Sequence, residues 1–230
     1  MPNAAHYQSL EYERIRLLIA DLSKKHNGSL RILDFGCGRG KFLAYFSSLG
    51  CDVTGVDVNP AYVDVARSQN IAAFSPDLFF LEPVAKFDVI LLSHVIEHLT
   101  PQELIALIPR LCDRLAMDGK LIVVSPVPGE RFYHDFSHVR PYLPQSIRHA
   151  FGQTGAPISY GESRLIELVD IHFFKDPFRT RFWRSFYVGG RFNKAFTRTV
   201  NTGFDVLWRV SRGKIGVVAS WLGVYKLNSR

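Results

Sequence analysis

Short apolar runs alternate along this chain with segments whose apolar residues recur every three or four positions. The runs at 31–34, 51–56, 87–92 and 121–124 predict buried β-strands, and the periodic segments around them predict helices. Strands that alternate with helices are typical of a mostly parallel sheet with helices on both faces. We therefore predict a Rossmann-like α/β fold, whose ligands bind beyond the carboxyl ends of the strands.

Two helices have boundaries that the sequence marks. An amphipathic N-terminal helix is predicted over 7–27. The Asn-Gly pair at positions 27 and 28 ends it. Residues 100–103, Thr-Pro-Gln-Glu, form a capping box with proline at the first helical position, so a second helix begins there. We expect that helix to end near Ala116, because Asp118-Gly119 follows.

The last quarter of the chain differs from the rest in charge and aromatic content. A sixth strand is predicted within 159–174 and a seventh over 215–227, which makes 175–214 an insertion between them. Residues 172–230 hold twelve Lys and Arg but only two Asp, and 13 of the chain's 30 aromatic residues. We predict a basic, aromatic, helical insertion within a single domain of 230 residues.

The aromatic residues of the insertion recur at helical spacing. Phe178, Phe182, Trp183 and Phe186 are predicted to share one helical face, which arginines surround. The insertion is either an amphipathic surface that contacts an anionic membrane or a lid that packs its aromatic face on the core. It contains no recognised nucleic-acid-binding module, so no nucleic-acid partner is predicted.

Composition is typical of a globular domain. The chain is 47% hydrophobic with a mean hydropathy of +0.03. Cys37, Cys51 and Cys112 show no C-x-x-C spacing, which argues against a disulfide framework and a zinc site. We see neither a leader nor an apolar stretch of about 18 residues. A cytoplasmic location is expected, with at most peripheral contact at the inner face of the membrane.

A glycine-rich loop follows the first predicted strand. Asp34 ends the strand, and Gly36, Gly38 and Gly40 follow at alternate positions. Glycine permits positive φ and lets the backbone approach a ligand closely. A dinucleotide fingerprint would need a further glycine where Lys41 stands. Since Asp34 would also repel a diphosphate, the loop favours a nucleoside that carries a cationic amino-acid group.

Further acidic residues follow the loop in a fixed order. The second strand ends at Asp57, Asp77 lies in a Ser-Pro-Asp turn, and 87–99 reads Phe-Asp-Val-Ile-Leu-Leu-Ser-His-Val-Ile-Glu-His-Leu. With the glycine loop and Asp118-Gly119-Lys120, this set resembles the class I S-adenosylmethionine (SAM) dependent methyltransferases over roughly residues 28–128. The resemblance implies the class I methyltransferase fold, which is a Rossmann-like, seven-stranded, mostly parallel sheet with helices on both faces. It also implies SAM as the cofactor.

The resemblance also assigns roles to single residues. It implies that the glycine loop and Asp34 hold the cofactor, that Asp57 contacts its ribose and that Asp77 lies beside its adenine. Asp57 and Asp77 are alternatively a helix cap and a turn residue. Ser93 and His94 would line the cofactor pocket. His94 and His98 would share a helix face with Glu97, but the spacing is not H-E-x-x-H, so no metal is predicted.

The segment after the strand predicted at 121–124 carries the candidate catalytic groups. Residues 132–142 resemble a D-P-T-H-V-R-P-Y stretch of methyltransferases found with bacterial cell-surface polysaccharide pathways, with Phe and Ser in place of Pro and Thr. Methyl transfer to a sugar hydroxyl requires removal of its proton, and histidine titrates near neutral pH. His138 is therefore the candidate base, and Asp135 orients it or is itself the base.

The same segment offers candidate substrate contacts. Arg140 suits a phosphate or carboxylate of the substrate, and His134 and Tyr142 are further candidates. A structural alternative remains, in which the segment is a hydrogen-bonded loop and Arg140 pairs with Asp135.

These observations predict methyl transfer from SAM to a hydroxyl of a saccharide, either a small molecule or a lipid-linked glycan, in cell-surface glycan synthesis. A quinone or prenyl-lipid O-methyltransferase is one alternative, and it would account for the basic aromatic insertion. A SAM-binding protein without catalysis is another. It would keep Asp34 and Asp57 but would tolerate the loss of His138.

Overall fold

The computed structural model describes residues 8–83, 85–152 and 165–228, and it confirms the predicted α/β fold. Within these ranges, seven strands form one sheet. The strands are β1 (Arg31–Phe35), β2 (Asp52–Val56), β3 (Ala72–Phe74), β4 (Phe87–Ser93), β5 (Leu115–Pro126), β6 (Ile166–Asp176) and β7 (Val217–Leu227). Their order across the sheet is β3-β2-β1-β4-β5-β7-β6.

Helices connect most of these strands. In the described ranges they are α1 (Gln8–Lys25), α2 (Lys41–Ser48), α3 (Pro60–Ser68), α4 (Pro76–Leu81), α5 (Pro101–Cys112), α6 (Glu130–Tyr133), α7 (Pro144–Phe151), α8 (Arg184–Tyr187) and α9 (Arg191–Val210). A short 3-10 turn, Ile96–His98, follows β4. The predicted capping box is present at the start of α5, where Thr100 and Glu103 exchange hydrogen bonds.

The carboxyl ends of the central strands meet at one edge of the sheet. β1 pairs in parallel with β2 and β4, and β4 pairs in parallel with β5. In this register Asp34 lies opposite Gly55 on one side and Leu91 on the other. The loops that follow these four strands therefore emerge side by side, at the edge where open α/β sheets bind ligands.

The position of β4 explains why the strands read as continuous apolar runs. Each residue from 89 to 92 is at most 1% exposed, because a central parallel strand is covered on both faces. One buried cluster joins Ile90 and Leu92 to Leu104 and Ile108 of α5. The apolar face of α5 therefore packs into the same core as the strand that leads to the site.

The end of α5 differs from the prediction. The helix ends at Cys112 and not near Ala116, because Leu115 already pairs with Phe87 as the first residue of β5. Residues 116–119 fall between this pair and the next one, Val89 with Lys120, so they form an irregularity within the strand. Asp118-Gly119, expected to stop the helix, lies in this irregularity.

Other boundaries differ by a few residues. α1 spans Gln8–Lys25, whereas 7–27 was expected, and residue 7 lies outside the described residues. The apolar runs do not predict β3, which is only three residues long. β6 begins at Ile166 within the expected 159–174, of which 159–164 also lies outside the described residues.

The chain divides into two compact units, Met1–His172 with Trp221–Arg230, and Phe173–Ser220. We call the second the basic unit, since it contains ten Lys and Arg but only two Asp. It holds α8 and α9, which lie within the insertion expected at 175–214. The assignment of all 230 residues to a single domain stays a prediction.

The basic unit is less helical than expected. Residues 177–183 are not helical, and α8 has only four residues. Phe178, Phe182, Trp183 and Phe186 therefore do not share one helical face, and that prediction is wrong. The segment instead packs on α9, where the ring of Phe178 lies 5.8 Å from that of Phe204.

Candidate active site

The glycine loop after β1 has the conformation that only glycine adopts without strain. Gly36, Gly38 and Gly40 have φ of 88°, 52° and 77°. A Cβ atom at Gly36 would collide with the side chain of Val95. A Cβ at Gly38 would meet no described atom within 4 Å. Gly36 is therefore required for the turn itself, whereas the space above Gly38 is open to a ligand.

Asp57, at the end of β2, holds the glycine loop in place. One of its carboxylate oxygens accepts the backbone N–H of Gly38 at 2.8 Å, and the other accepts that of Asn59 at 2.8 Å. Each carboxylate oxygen has two lone pairs, so both keep one for a further donor. Asp57 thus positions the loop and can also accept a ribose hydroxyl.

Asp34 is a buried carboxylate without a protein partner. It is 1% exposed, and neither of its oxygens has a hydrogen-bond partner among the described residues. Burial, followed by the nearby charge of Asp57, raises the pKa of Asp34 to about 7. An unpaired buried carboxylate is costly, and the ammonium group of an amino acid would offset that cost. With the open space at Gly38, this carboxylate fits the amino-acid end of SAM.

The pKa of Asp34 predicts how binding responds to pH. Between about pH 4 and pH 7, Asp34 of the folded, cofactor-free protein is protonated, whereas Asp34 of the unfolded chain is ionised. The free energy of unfolding therefore falls as pH rises through this window. An ammonium ligand prefers the ionised carboxylate. We expect S-adenosylhomocysteine to bind about tenfold more weakly at about pH 6 than at about pH 8, as measured by calorimetry.

The matched variant for this test is Asp34→Asn, which keeps the shape of the side chain but cannot ionise. It should bind S-adenosylhomocysteine weakly at both pH values and without the pH dependence. Equal affinity of the unmodified protein at both pH values would contradict a contact between Asp34 and the ligand's ammonium group.

His94 follows β4 and is fixed on both ring nitrogens. Its Nδ1–H donates to Glu97 at 3.0 Å and its Nε2–H donates to Glu11 of α1 at 2.9 Å. Burial by itself would lower the pKa of His94, but the hydrogen bonds that its ring donates to Glu11 and Glu97 outweigh this effect and raise the pKa to about 10. Arg131 also bonds Glu11, at 2.7 Å. The His94 ring is therefore a half-buried cation with both N–H groups used within the protein.

This arrangement corrects part of the sequence interpretation. The chain has a left-handed φ of 57° at His94 and then a 3-10 turn, so residues 94, 97 and 98 do not share a helix face. Any hydrogen bond between His94 and the cofactor would come from the backbone of His94, because both ring N–H groups are used within the protein. Sequence reasoning missed Glu11 and Arg131, since Glu11 lies 83 and 120 positions from its two partners. No local spacing signals such contacts.

The loop that carries His138 packs on the turn after β4. The backbone N–H groups of Val139 and Arg140 both donate to the carbonyl oxygen of Glu97, at 2.8 and 3.2 Å. The rings of His98 and His138 lie 4.8 Å apart. The structure therefore brings the candidate base to the loop that follows β4, at the same sheet edge as the glycine loop.

His138 is oriented so that one ring nitrogen can accept a proton. Its Nδ1–H donates to the carbonyl oxygen of Phe132 at 2.8 Å, which leaves the Nε2 lone pair available. The nearest carboxylate oxygen of Asp135 lies 3.9 Å from Nε2. Hydrogen bonds from Ser137 lower the pKa of Asp135, so Asp135 remains ionised and can stabilise a protonated His138.

The remaining predicted residues lie in different surroundings. Asp77 is exposed in the first turn of α4, and Ser93 is half-buried at the end of β4. His134 is exposed, 3.6 Å from Glu130. Arg140 is also exposed, with its guanidinium 5.9 Å from the ring of Tyr142.

Tyr142 is buried, and its hydroxyl donates to the carbonyl oxygen of Leu99 at 3.0 Å. Its own carbonyl oxygen accepts the indole N–H of Trp221 at 2.9 Å. These contacts favour a packing role for Tyr142 over the predicted contact with substrate.

Comparisons with known proteins agree with this geometry. A family model described as a methyltransferase domain matches residues 5–158. The chain is 32% identical over 102 residues to a ubiquinone biosynthesis O-methyltransferase of Bradyrhizobium sp. (strain ORS 278), a match over 42% of this chain and 39% of that protein. A protein of the same name from Rhodopseudomonas palustris (strain BisB18) is 34% identical over 104 residues, with the same coverage of both chains. The match thus spans 39% of the length of these relatives.

Solved structures share the fold at lower identity. A SAM-dependent methyltransferase from Archaeoglobus fulgidus has a TM-score of 0.58 at 20% identity and covers 93% of both chains. The N-methyltransferase NodS from Bradyrhizobium japonicum WM9, in complex with S-adenosyl-L-homocysteine, has a TM-score of 0.57 at 15% identity, over 97% of this chain and 98% of its own. The chain therefore belongs to the methyltransferase-domain family, as a class I methyltransferase whose cofactor is SAM.

Proposed function

We propose that this protein transfers a methyl group from SAM to a hydroxyl oxygen of a saccharide in cell-surface glycan synthesis. The observation that carries the proposal is the orientation of His138. Its Nδ1–H is held by the carbonyl oxygen of Phe132, and its Nε2 is free to accept a proton beside Asp135. A transfer to oxygen needs such a group, because the attacking hydroxyl must lose its proton.

In this proposal, residues at the ends of β1 and β2 bind the cofactor, and the loop that carries His138 acts on the acceptor. The bound cofactor supplies a methyl group that its sulfonium has already activated. Asp34, Gly38 and Asp57 hold the cofactor at the ends of β1 and β2, and His138 accepts the proton of the acceptor hydroxyl at Nε2. Alignment of the acceptor contributes most of the rate, and the base contributes about 10² to 10⁴ fold.

Exposed polar groups beside His138 support an acidic acceptor. Arg140 and His134 are both exposed, on either side of His138 in sequence. A guanidinium binds phosphate or carboxylate with two hydrogen bonds. A sugar that bears a phosphate or a uronic acid carboxylate, either free or linked to a lipid, fits this pair.

A quinone or other prenyl-lipid acceptor is the second candidate. The ubiquinone biosynthesis O-methyltransferases matched over 42% of this chain favour it. A phenol loses its proton more readily than a sugar hydroxyl, so such an acceptor depends less on His138. Replacing His138 should therefore lower turnover more for a sugar acceptor than for a phenolic acceptor, which distinguishes the two candidates.

We also propose that the basic unit contacts an anionic membrane surface. Phe182 is 100% exposed and Phe192 is 92% exposed, and exposed basic residues surround Phe192 on α9. These exposed aromatic and basic side chains support the membrane interpretation of the basic unit over the lid interpretation. No helix in the described residues is long and apolar enough to cross a membrane.

The acceptor class is tested with purified protein, SAM and two acceptor panels. One panel holds anionic sugars and lipid-linked oligosaccharides, and the other holds prenylated catechols. We expect release of S-adenosylhomocysteine and a mass increase of one methyl group only with the sugars. Turnover on the catechols alone would favour the second candidate, and binding of S-adenosylhomocysteine without turnover on either panel would favour a non-catalytic protein.

A further inference from the structure

Three groups that bind metals meet beside the candidate base. Glu97, His98 and His138 each place one donor atom within 4.8 Å of the other two. Glu97 and His98 belong to the 3-10 turn after β4, whereas His138 comes from the loop after β5. We propose that these three residues form a binding site for a divalent transition-metal ion.

The two imidazole rings are oriented as in metal sites. Nδ1–H of His138 donates to the carbonyl oxygen of Phe132 at 2.8 Å. Nδ1 of His98 lies 3.2 Å from the carbonyl oxygen of Ser137 and 3.1 Å from its hydroxyl, which itself donates to Asp135. Both Nδ1 atoms are therefore donors, and both Nε2 atoms offer a lone pair. Metal-binding histidines usually have this bond from the other nitrogen to a carbonyl or carboxylate.

Glu97 supplies an independent indication of a ligand. Its side chain is 0% exposed. One carboxylate oxygen accepts a hydrogen bond from His94, but the other has no hydrogen-bond partner among the described residues. A buried carboxylate oxygen without a partner is costly. A positive ion at this position would satisfy it.

The backbone keeps the three groups together. The carbonyl oxygen of Glu97 accepts the N–H groups of Val139 and Arg140, so the loop with His138 is fastened to the turn with His98. Asp135, 3.9 Å from Nε2 of His138, adds a further carboxylate at the rim. Two imidazole nitrogens and one carboxylate oxygen suit Zn²⁺ and related first-row ions better than Mg²⁺ or Ca²⁺, which prefer oxygen ligands.

The consequence for turnover rests on the proposed function. Nε2 of His138 cannot both bind an ion and accept the proton of the acceptor. We therefore infer that an ion at this site inhibits methyl transfer, and that a chelator leaves the enzyme active or activates it.

Metal binding is tested directly, on full-length protein without a polyhistidine tag. We expect Co²⁺ to give visible absorption bands of a nitrogen- and oxygen-ligated ion, and Zn²⁺ to displace it in calorimetric titration. His98→Ala should weaken Zn²⁺ binding at least about tenfold, the effect of disturbing a metal's ligand environment. His149→Ala, which removes an exposed histidine of α7, is the matched control and should bind as the unmodified protein does.

Two measurements keep the outcome clear. Glu97→Gln should also weaken Zn²⁺ binding, and its melting curve shows whether that loss reflects unfolding of the protein. His98 is exposed, so its replacement by Ala should not unfold the protein. Absence of Co²⁺ bands, or equal Zn²⁺ affinity in His98→Ala and the unmodified protein, would overturn the metal site while leaving the proposed methyl transfer intact. Co²⁺ bands in a protein that methylates neither acceptor panel would retain the site and refute the proposed function.

Discussion

His138→Ala is expected to lower the turnover number about 10² to 10⁴ fold, the usual contribution of a general base. Affinity for S-adenosylhomocysteine should stay unchanged, because Nε2 of His138 lies beside Asp135 in the loop between α6 and α7, whereas Asp57 bonds the glycine loop after β1. Steady-state kinetics with an unmethylated sugar acceptor and calorimetry with S-adenosylhomocysteine measure the two effects separately.

Two variants act as controls for this experiment. Asp135→Asn removes the charge beside Nε2 and should reduce turnover less than His138→Ala does. His149→Ala lies on α7 and should have no effect. If His138→Ala weakens cofactor binding and turnover equally and lowers the melting temperature, the loop over 132–142 is a structural element and the base must be sought elsewhere.

Binding of the full chain to anionic vesicles should depend on α9. Lys194 and Arg198 are exposed basic residues of that helix, and each basic residue near an anionic surface contributes about 1 kcal/mol. Replacing both by Gln should therefore weaken binding about 30-fold, and salt should weaken it in the unmodified protein. Co-sedimentation with vesicles of phosphatidylglycerol and phosphatidylcholine measures this, with pure phosphatidylcholine as the neutral reference.

The matched control removes two charges from α1, Lys24 and Lys25, which are also exposed. That variant should bind vesicles as the unmodified protein does. Phe192→Ser should lose vesicle binding and keep its melting temperature, since Phe192 is 92% exposed. If the unmodified protein fails to bind anionic vesicles even at low salt, the basic unit does not serve a membrane.

Replacing Arg179 together with neighbouring arginines would not isolate the effect of surface charge. Arg179 is nearly buried and bonds Asp205 at 2.6 Å, and Thr180 bonds the side chain of Asn201 on α9. These contacts also explain why the helical spacing of the aromatic residues over 178–186 led to a wrong prediction of a helix. Polar contacts with α9 hold the segment in a non-helical path, and such contacts override local periodicity.

The sequence predicts the parts of this protein that local rules determine. Continuous apolar runs identify the central strands, because burial on both faces leaves no alternation. The glycine loop and the capping box at Thr100 depend on residues a few positions apart, so their spacing is sufficient. β3 is too short for any pattern, and the end of α5 is set by pairing of Leu115 with Phe87 in the sheet.

The acceptor side of the site is harder to derive, because its contacts are distant in sequence. His98 and Ser137 form a contact although they are 39 positions apart. No sequence motif predicts that His138 lies close to His98 and Glu97. The sequence therefore predicts a catalytic role for His138 but does not indicate that this residue joins Glu97 and His98, the arrangement from which we propose a metal site. The orphan carboxylate oxygen of Glu97 becomes visible only once its surroundings are known.

The contact of Glu11 with His94 joins α1 to the turn that follows β4. A shortened chain that began at β1 would keep His94 but would lose one of the two buried carboxylates that its ring bonds. It would also remove Glu11 from Arg131. An engineer who wishes to trim this enzyme, or to fuse another protein to its amino-terminal side, must therefore keep the first helix free to dock on the sheet.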